Sequence, residues 1–275
     1  MKKWSISFLI IAILGFVVGC GNKKEESAEK VEKVKIGVVG ENNEVWDYVK
    51  EQLKEENIEI ELVKFTDYTQ PNAALAEGEI DLNSFQHQIF LDNYNKDHDT
   101  DLVSIADTQI ASLGIYSNKI KDVKELKEGA KIAIPNDLTN GGRALLLLQT
   151  AGLIKLDKTA AQTPTVKDIT ENKLNLKIEE LDAAQTARAL PDVDASLINS
   201  GMAVDAGFVP TEDAIFLEPI DETSKPYINI IVANGKDKDK EVFKKIIKAY
   251  QSDGTAKLIE EISKGSSTPA WTQDK

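Results

Sequence analysis

From Val34 onward, short β-rich runs alternate with stretches of helical periodicity, and this restricts the chain to an α/β fold whose sheets are covered by helices. Residues 34–39 form a β-rich run closed by Gly40. Over 43–56, Val45, Tyr48, Val49 and Leu53 recur at helical spacing, and 58–63 alternate apolar with charged side chains as a half-buried strand does. Further strands are expected over 102–105, 131–135, 176–181, 193–198, 214–217 and 227–233. Helices are expected over 71–77, 88–96, 143–150, 183–190, 201–206 and 238–262, the first opened by Pro71 and closed by Gly78. Residues 136–142 are rich in Asn, Asp and Gly and read as a loop. No repeat of fixed period runs through the chain.

Ahead of this region lies a segment of a different kind. Lys2 and Lys3 precede an apolar run over 4–18, then Gly19 and Cys20. The run is short for a membrane span and charge follows it closely, so 1–19 reads as an export signal. Val17-Val18-Gly19-Cys20 resembles the lipobox of bacterial lipoproteins, in which the cysteine is lipidated and becomes the new N-terminus. Residues 20–33 then supply the lipidated Cys20 and a charged, flexible tether without apolar runs. Cys20 is the one cysteine, which excludes an intrachain disulfide and a cysteine-held zinc. Two histidines are too few for a His-rich metal site, and no D-x-D-x-D-G loop is present. No metal and no cofactor is expected. With 46 acidic against 33 basic side chains, the formal charge of −13 argues against nucleic acid as a partner and against a polybasic membrane patch.

Chemistry concentrates in a few places. Residues 65–91 gather Tyr68, Phe85, His87 and Phe90 in a chain that is only 6% aromatic. If the segment after Ile80 is extended, Asn83, Phe85 and His87 share one face. That face is either core with a satisfied histidine or one wall of a cleft. Arg143 falls in the first turn of its expected helix, where the helix dipole disfavours a cation. Two explanations fit: a carboxylate ligand held by the guanidinium and the free N–H groups together, or an exposed arginine, alone or paired with Asp137. Gly141 and Gly142 would let backbone approach such a ligand. Asn199 ends a strand and either caps the next helix or faces a ligand. Asn229 lies inside an expected strand, where asparagine is unusual. No nucleophile is evident: G-x-S-x-G is absent, and neither histidine has an apparent Ser or Cys partner. An enzyme is therefore not expected.

Taken together, residues 65–87 (FTDYTQPNAALAEGEIDLNSFQH), 131–156 (KIAIPNDLTNGGRALLLLQTAGLIKL), 164–169 (PTVKDI), 196–203 (SLINSGMA) and 225–233 (KPYINIIVA) resemble the MetQ/NlpA family of methionine-binding lipoproteins. The resemblance implies a two-lobed periplasmic-binding-protein fold, type II-like, with a ligand cleft between lobes. It places 34–116 and 221–275 in one lobe and 117–220 in the other. It also implies roles: Tyr68, Phe85, His87 and Phe90 wall the ligand side chain, and Arg143 takes the α-carboxylate. Asn199 and Asn229 hold the polar backbone, with Asn140 a further candidate beside Arg143.

The implied protein is a monomeric, lipid-anchored solute-binding subunit of an ABC importer on the extracytoplasmic face of the cell membrane. It captures methionine, with the choice between the L- and D-enantiomers left open, and delivers it by hinge closure to a membrane permease driven by an ATPase subunit. Alternatives are a methionine-containing dipeptide or another small amino acid in the same role, or a surface interaction lipoprotein. The chain departs from its relatives at Phe90 and Met202, where many carry tyrosine, and at Ala111-Ser112-Leu113, which lacks a common proline. These departures would alter the size or polarity of the pocket.

Overall fold

The structure is a computed structural model and describes residues 31–160 and 162–272. The signal segment, Cys20 and the tether through Lys30 lie outside the described residues. The expected tether runs slightly long, because β1 (Glu32–Val39) already includes Glu32 and Lys33. Both pair with the start of β2 (Ile58–Phe65), and backbone pairing of this kind does not require apolar side chains.

Between them lie α1 (Glu44–Leu53) and a short 3-10 turn. Next come α2 (Pro71–Glu77), β3 (Leu82–Asn83), α3 (Gln88–His98), β4 (Leu102–Asp107) and β5 (Gln109–Ala111). The second part of the chain carries β6 (Gly114–Tyr116), β7 (Lys131–Pro135), α4 (Leu138–Thr150), β8 (Lys155–Leu156) and β9 (Ile169–Glu171). It continues with β10 (Lys177–Leu181), α5 (Ala183–Thr186), β11 (Ala195–Ile198), α6 (Ser200–Asp205), α7 (Pro210–Asp213) and β12 (Phe216–Leu217). The chain closes with β13 (Ile230–Asn234), α8 (Glu241–Tyr250), α9 (Asp253–Ser263) and β14 (Ser267–Pro269).

Two five-stranded sheets organise two lobes. The first has the order β2-β1-β3-β13-β4, the second β10-β7-β11-β6-β12. In each, four strands point the same way and one runs against them, β13 in the first sheet and β6 in the second. β13, which leads the return to the first sheet, is buried at Ile230, Ile231, Val232 and Ala233, as a strand covered on both faces must be. β2, at the sheet edge, buries Ile58 and Ile60 while exposing Glu59 and Glu61. The second lobe's core packs α4, through Leu145 and Leu148, onto Ile132, Ile134 and Leu197. The first crossing comes earlier than expected: Gly114–Tyr116 already pairs with β11 and β12, so Tyr116 belongs to the second sheet.

Parallel strands of both sheets end towards one region, where α/β sheets place ligands. Gly40 follows β1, Ser84 and Phe85 follow β3, Asp137 to Asn140 follow β7, and Asn199 follows β11.

Several local expectations fail for identifiable reasons. The helix expected over 143–150 starts at Leu138, because the Asp137 carboxylate accepts from the Asn140 N–H and caps it. Gly141 and Gly142 sit inside this helix: a Cβ would lie 2.7 Å from the Pro135 carbonyl oxygen at the first and 2.9 Å from Thr163 Cα at the second. They permit close packing of the helix, not approach to a ligand. The extended segment ends at Asn83, whose side chain turns into a buried network with Asn72 and Gln86, so Asn83 does not share a face with Phe85 and His87. The strand expected over 227–233 begins at Ile230, since Tyr227 closes a 3-10 helix. The helix expected over 238–262 divides into α8 and α9, the second capped by Ser252.

Candidate ligand-binding cleft

A cavity of about 270 Å³ lies between the lobes, and Tyr68, Phe85, His87, Phe90, Asn140, Arg143, Asn199 and Asn229 all line it. The aromatic wall comes from the first lobe. Tyr68, Phe85 and Phe90 form a triangle with ring centroids 5.8 Å (Tyr68–Phe85), 6.3 Å (Tyr68–Phe90) and 5.8 Å (Phe85–Phe90) apart. Two of the three contacts are edge-on, the arrangement that ring quadrupoles favour. Behind the wall, Asn72, Asn83 and Gln86 satisfy one another in a buried amide network. Gln86 points into this network and so fixes the segment on which its neighbours Phe85 and His87 are displayed.

His87 is 4% exposed and stands just before α3. Its Nδ1 accepts from the Phe90 N–H at 3.2 Å, which leaves the proton of the neutral ring on Nε2. Burial, followed by the charge of Arg143, depresses its pKa to about 3, opposed by the nearby Asn140 amide; the ring is neutral at physiological pH. Nε2 is buried and has no partner among the described residues. It is an unused donor.

The second lobe supplies the polar side. Asn199 precedes α6 but makes no side-chain cap, so its amide is free for other work. It donates through Nδ2 to Asn140 Oδ1 at 2.7 Å, and the Asn140 amide donates in turn to both oxygens of Asp137. That chain orients Asn199 Oδ1 as an acceptor, buried and without a partner among the described residues. Asn229 contributes from the first lobe, bridging through its backbone to His87 and donating its N–H to the Gln109 carbonyl oxygen.

Arg143 does not behave as its expected helix position suggests. It lies well inside α4, so the dipole argument lapses, and its carboxylate partner in the chain is Glu218, not Asp137. Nε donates to Glu218 Oε1 at 3.0 Å, Nη2 donates to Glu218 Oε2, and Nη2 donates also to the Ala111 carbonyl oxygen at 2.8 Å. The Tyr227 ring covers the guanidinium, its centroid 4.5 Å from Cζ, and meets the His87 ring edge-on at 5.3 Å. Only Nη1 is without a hydrogen-bond partner among the described residues.

Glu218 and Tyr227, which hold Arg143 without lining the cavity themselves, are not singled out by the sequence. The departures at Met202 and Ser112 also have structural content. Met202 packs with Tyr116, Ile198 and Ala203 in a cluster that Val39 and Tyr68 join from the first lobe. Ser112 donates its N–H to the Ser266 carbonyl oxygen, a bond that proline would remove.

At the rim, the N–H groups of Glu41 and Asn42 donate to the Asp205 carboxylate at 3.1–3.3 Å, joining the loop after β1 to the end of α6. Gly40 has φ +90°, and a Cβ there would meet Asp205 Oδ2 at 1.9 Å. Lys264 and Glu212 form a second, exposed pair across the rim at 2.9 Å. Among the described residues, no group of three or more His, Cys, Asp or Glu side chains is placed to hold a metal ion, and no helix is long and apolar enough to cross a membrane.

The model of the NlpA lipoprotein family matches residues 34–271. The chain belongs to this family. Among NlpA-family proteins, the probable D-methionine-binding lipoprotein MetQ of Vibrio cholerae is 43% identical over 93% of this chain and 93% of its own length. A nutrient-binding protein from Burkholderia cenocepacia, solved bound to methionine, superposes with a TM-score of 0.82 at 46% identity, covering 86% of this chain and 99% of its own. The substrate-binding protein of a methionine transporter from Streptococcus pneumoniae gives a TM-score of 0.82 at 44% identity, covering 87% and 96%. These two solved structures share the two-lobed fold; one holds methionine and the other belongs to a methionine transporter.

Proposed function

We propose that this chain captures methionine in the cleft between its lobes and delivers it to the permease and ATPase of an ABC importer, without catalysing a reaction. The observation that carries the reading is a pair of buried atoms of opposite character, without partners among the described residues, that line one cavity. His87 Nε2–H is a donor and Asn199 Oδ1 is an acceptor. An α-amino acid presents the complement, a carboxylate that only accepts and an ammonium that only donates. Arg143 Nη1 adds a second donor for the carboxylate, and Asn229 sits where it can reach the same backbone. The aromatic triangle suits a thioether, whose contacts with rings are worth roughly 0.3–1.5 kcal/mol each. The cavity lies at the small end of the range for ligand pockets, roughly 300–1,000 Å³, which favours a single amino acid over a dipeptide. Calorimetry on the full chain with methionine, methionine dipeptides and the other amino acids tests the reading. Methionine should give the tightest binding, and absence of heat with every amino acid and dipeptide would refute it.

Closure of the cleft is attributed to the rim contacts. Asp205→Ala removes the carboxylate that Glu41 and Asn42 hold, at an expected loss of about 1–2 kcal/mol in methionine affinity. The effect should appear in the dissociation rate. An unchanged dissociation rate in stopped-flow would remove Asp205 from the closure mechanism. Anchoring is attributed to Cys20, and Cys20→Ser should move the protein from the membrane fraction to the soluble one; retention of the variant in membranes would contradict a lipid anchor there.

A further inference from the structure

We propose that Glu218 sets the charge selectivity of the cleft. By engaging Arg143 from outside the cavity it cancels the guanidinium charge and leaves one nitrogen for the ligand, so the site takes a zwitterion and turns away an anion with the same side chain. The inference rests on the amino-acid-binding reading above, and nothing in the resemblance or in the names of relatives assigns Glu218 a role.

Glu218 does not line the ligand cavity, so it is a positioning residue that acts through Arg143. It lies instead on a second cavity, of about 460 Å³, which Arg143 and Tyr227 also border. Its carboxylate is held at the crossover between the lobes: Oε2 accepts from the Leu113 N–H at 3.0 Å, and its own N–H donates to the Leu113 carbonyl oxygen at 2.9 Å. So fixed, it takes Nε and one N–H of Nη2, while Ala111 takes the other. Arginine carries five N–H donors. The two on Nη1 remain.

The charge around the ligand then sums in a simple way. Arg143 and Glu218 bring no net charge between them, although the guanidinium, nearer the cavity, is still felt at His87; that ring is held neutral by burial first and by Arg143 second. Asp137 and Asp205 add negative charge at the edges of the site. A zwitterion brings no net charge. Acylating its amine removes the ammonium charge, leaves a single neutral N–H for Asn199 Oδ1, and makes the ligand an anion with no uncompensated cation to meet. Selectivity of this kind comes from the penalty on the wrong ligand as much as from attraction to the right one.

Glu218→Gln is nearly isosteric and keeps an acceptor for the Leu113 N–H, while leaving Arg143 uncompensated. Two measurements on the full chain separate the inference from the reading beneath it. In thermal melts with acetate as the minimal carboxylate, Glu218→Gln should be stabilised by several degrees and the wild type hardly at all. In calorimetry with methionine and N-acetylmethionine, the preference for methionine should fall by about tenfold or more.

Equal weakening of both ligands, or the same acetate response in both proteins, overturns the proposal. If the wild type binds neither ligand, the amino-acid reading fails, and the acetate response still decides whether Glu218 masks the arginine. Should Glu218→Gln not fold, Glu218→Asp serves, because it keeps the charge one methylene away. It should retain the preference for methionine and lack the acetate response, and loss of that preference would equally overturn the inference.

Discussion

Replacing Arg143 with methionine is expected to destabilise the fold by about 3–5 kcal/mol, because it strands the Glu218 carboxylate in a site with little water. The two side chains are only 6% and 15% exposed, which places the pair among buried ion pairs and not among surface ones. The variant also loses the N–H donors of Nη1 and the ring contact to Tyr227, so methionine affinity should fall by about 2 kcal/mol or more, that is, at least roughly 30-fold. Stability and binding then separate in the double variant Arg143→Met, Glu218→Leu. Apolar replacement of both partners of a buried pair is often neutral, so stability should return towards the wild type while binding stays weak. Urea unfolding alongside calorimetry checks both halves. A single variant as stable as the wild type would contradict the buried-pair account, and a double variant that regains full affinity would remove Arg143 from the ligand site.

The second large effect is a pH dependence that originates at His87. Its folded pKa, about 3, lies below the ordinary value of 6.5, mainly through burial and secondly through Arg143. Between those two values the unfolded chain binds a proton at this position and the folded chain does not. Stability therefore falls as the pH drops through the window, by up to about 1.4 kcal/mol per pH unit from this group, and the dependence flattens below about pH 3. Asp67, Asp168, Asp194 and Asp221 have carboxyls held below their usual range by hydrogen bonds and lose stabilisation in the same direction, but only as the pH falls towards and below the ordinary carboxylate range. The comparison that isolates the histidine is urea unfolding of the wild type and His87→Gln between pH 4 and pH 7. The wild type should show the steeper loss. Parallel profiles would mean that His87 is accessible to protons in the folded protein.

Much of this site is legible in the amino-acid sequence, for reasons that differ by residue. The helix Pro71–Glu77 announces both ends, since proline suits a first turn and Gly78 adopts φ +79°. Tyr68, Phe85, His87 and Phe90 stand out because aromatics are scarce here, and all four reach one cavity together with Asn140, Arg143, Asn199 and Asn229. What the sequence hides is tertiary. Leu138-Thr-Asn-Gly-Gly has the composition of a loop, and only the cap from Asp137 and the tight packing of two glycines make it helical. Glu218 is one of 46 acidic residues, and its local sequence does not distinguish it from a solvated charge. Its meaning depends on Arg143, 75 positions away. Asn83 shows the opposite case, a residue whose period places it on the ligand face until the strand ends at that very position.

A crystal structure of the protein with methionine bound decides whether the cleft works in this way. Methionine is expected between the lobes, its carboxylate within hydrogen-bond distance of His87 Nε2 and Arg143 Nη1. The ammonium should lie on Asn199 Oδ1 and the thioether against Phe85 and Phe90. A ligand seated elsewhere, or one oriented with its ammonium towards Arg143, would contradict the proposed binding mode.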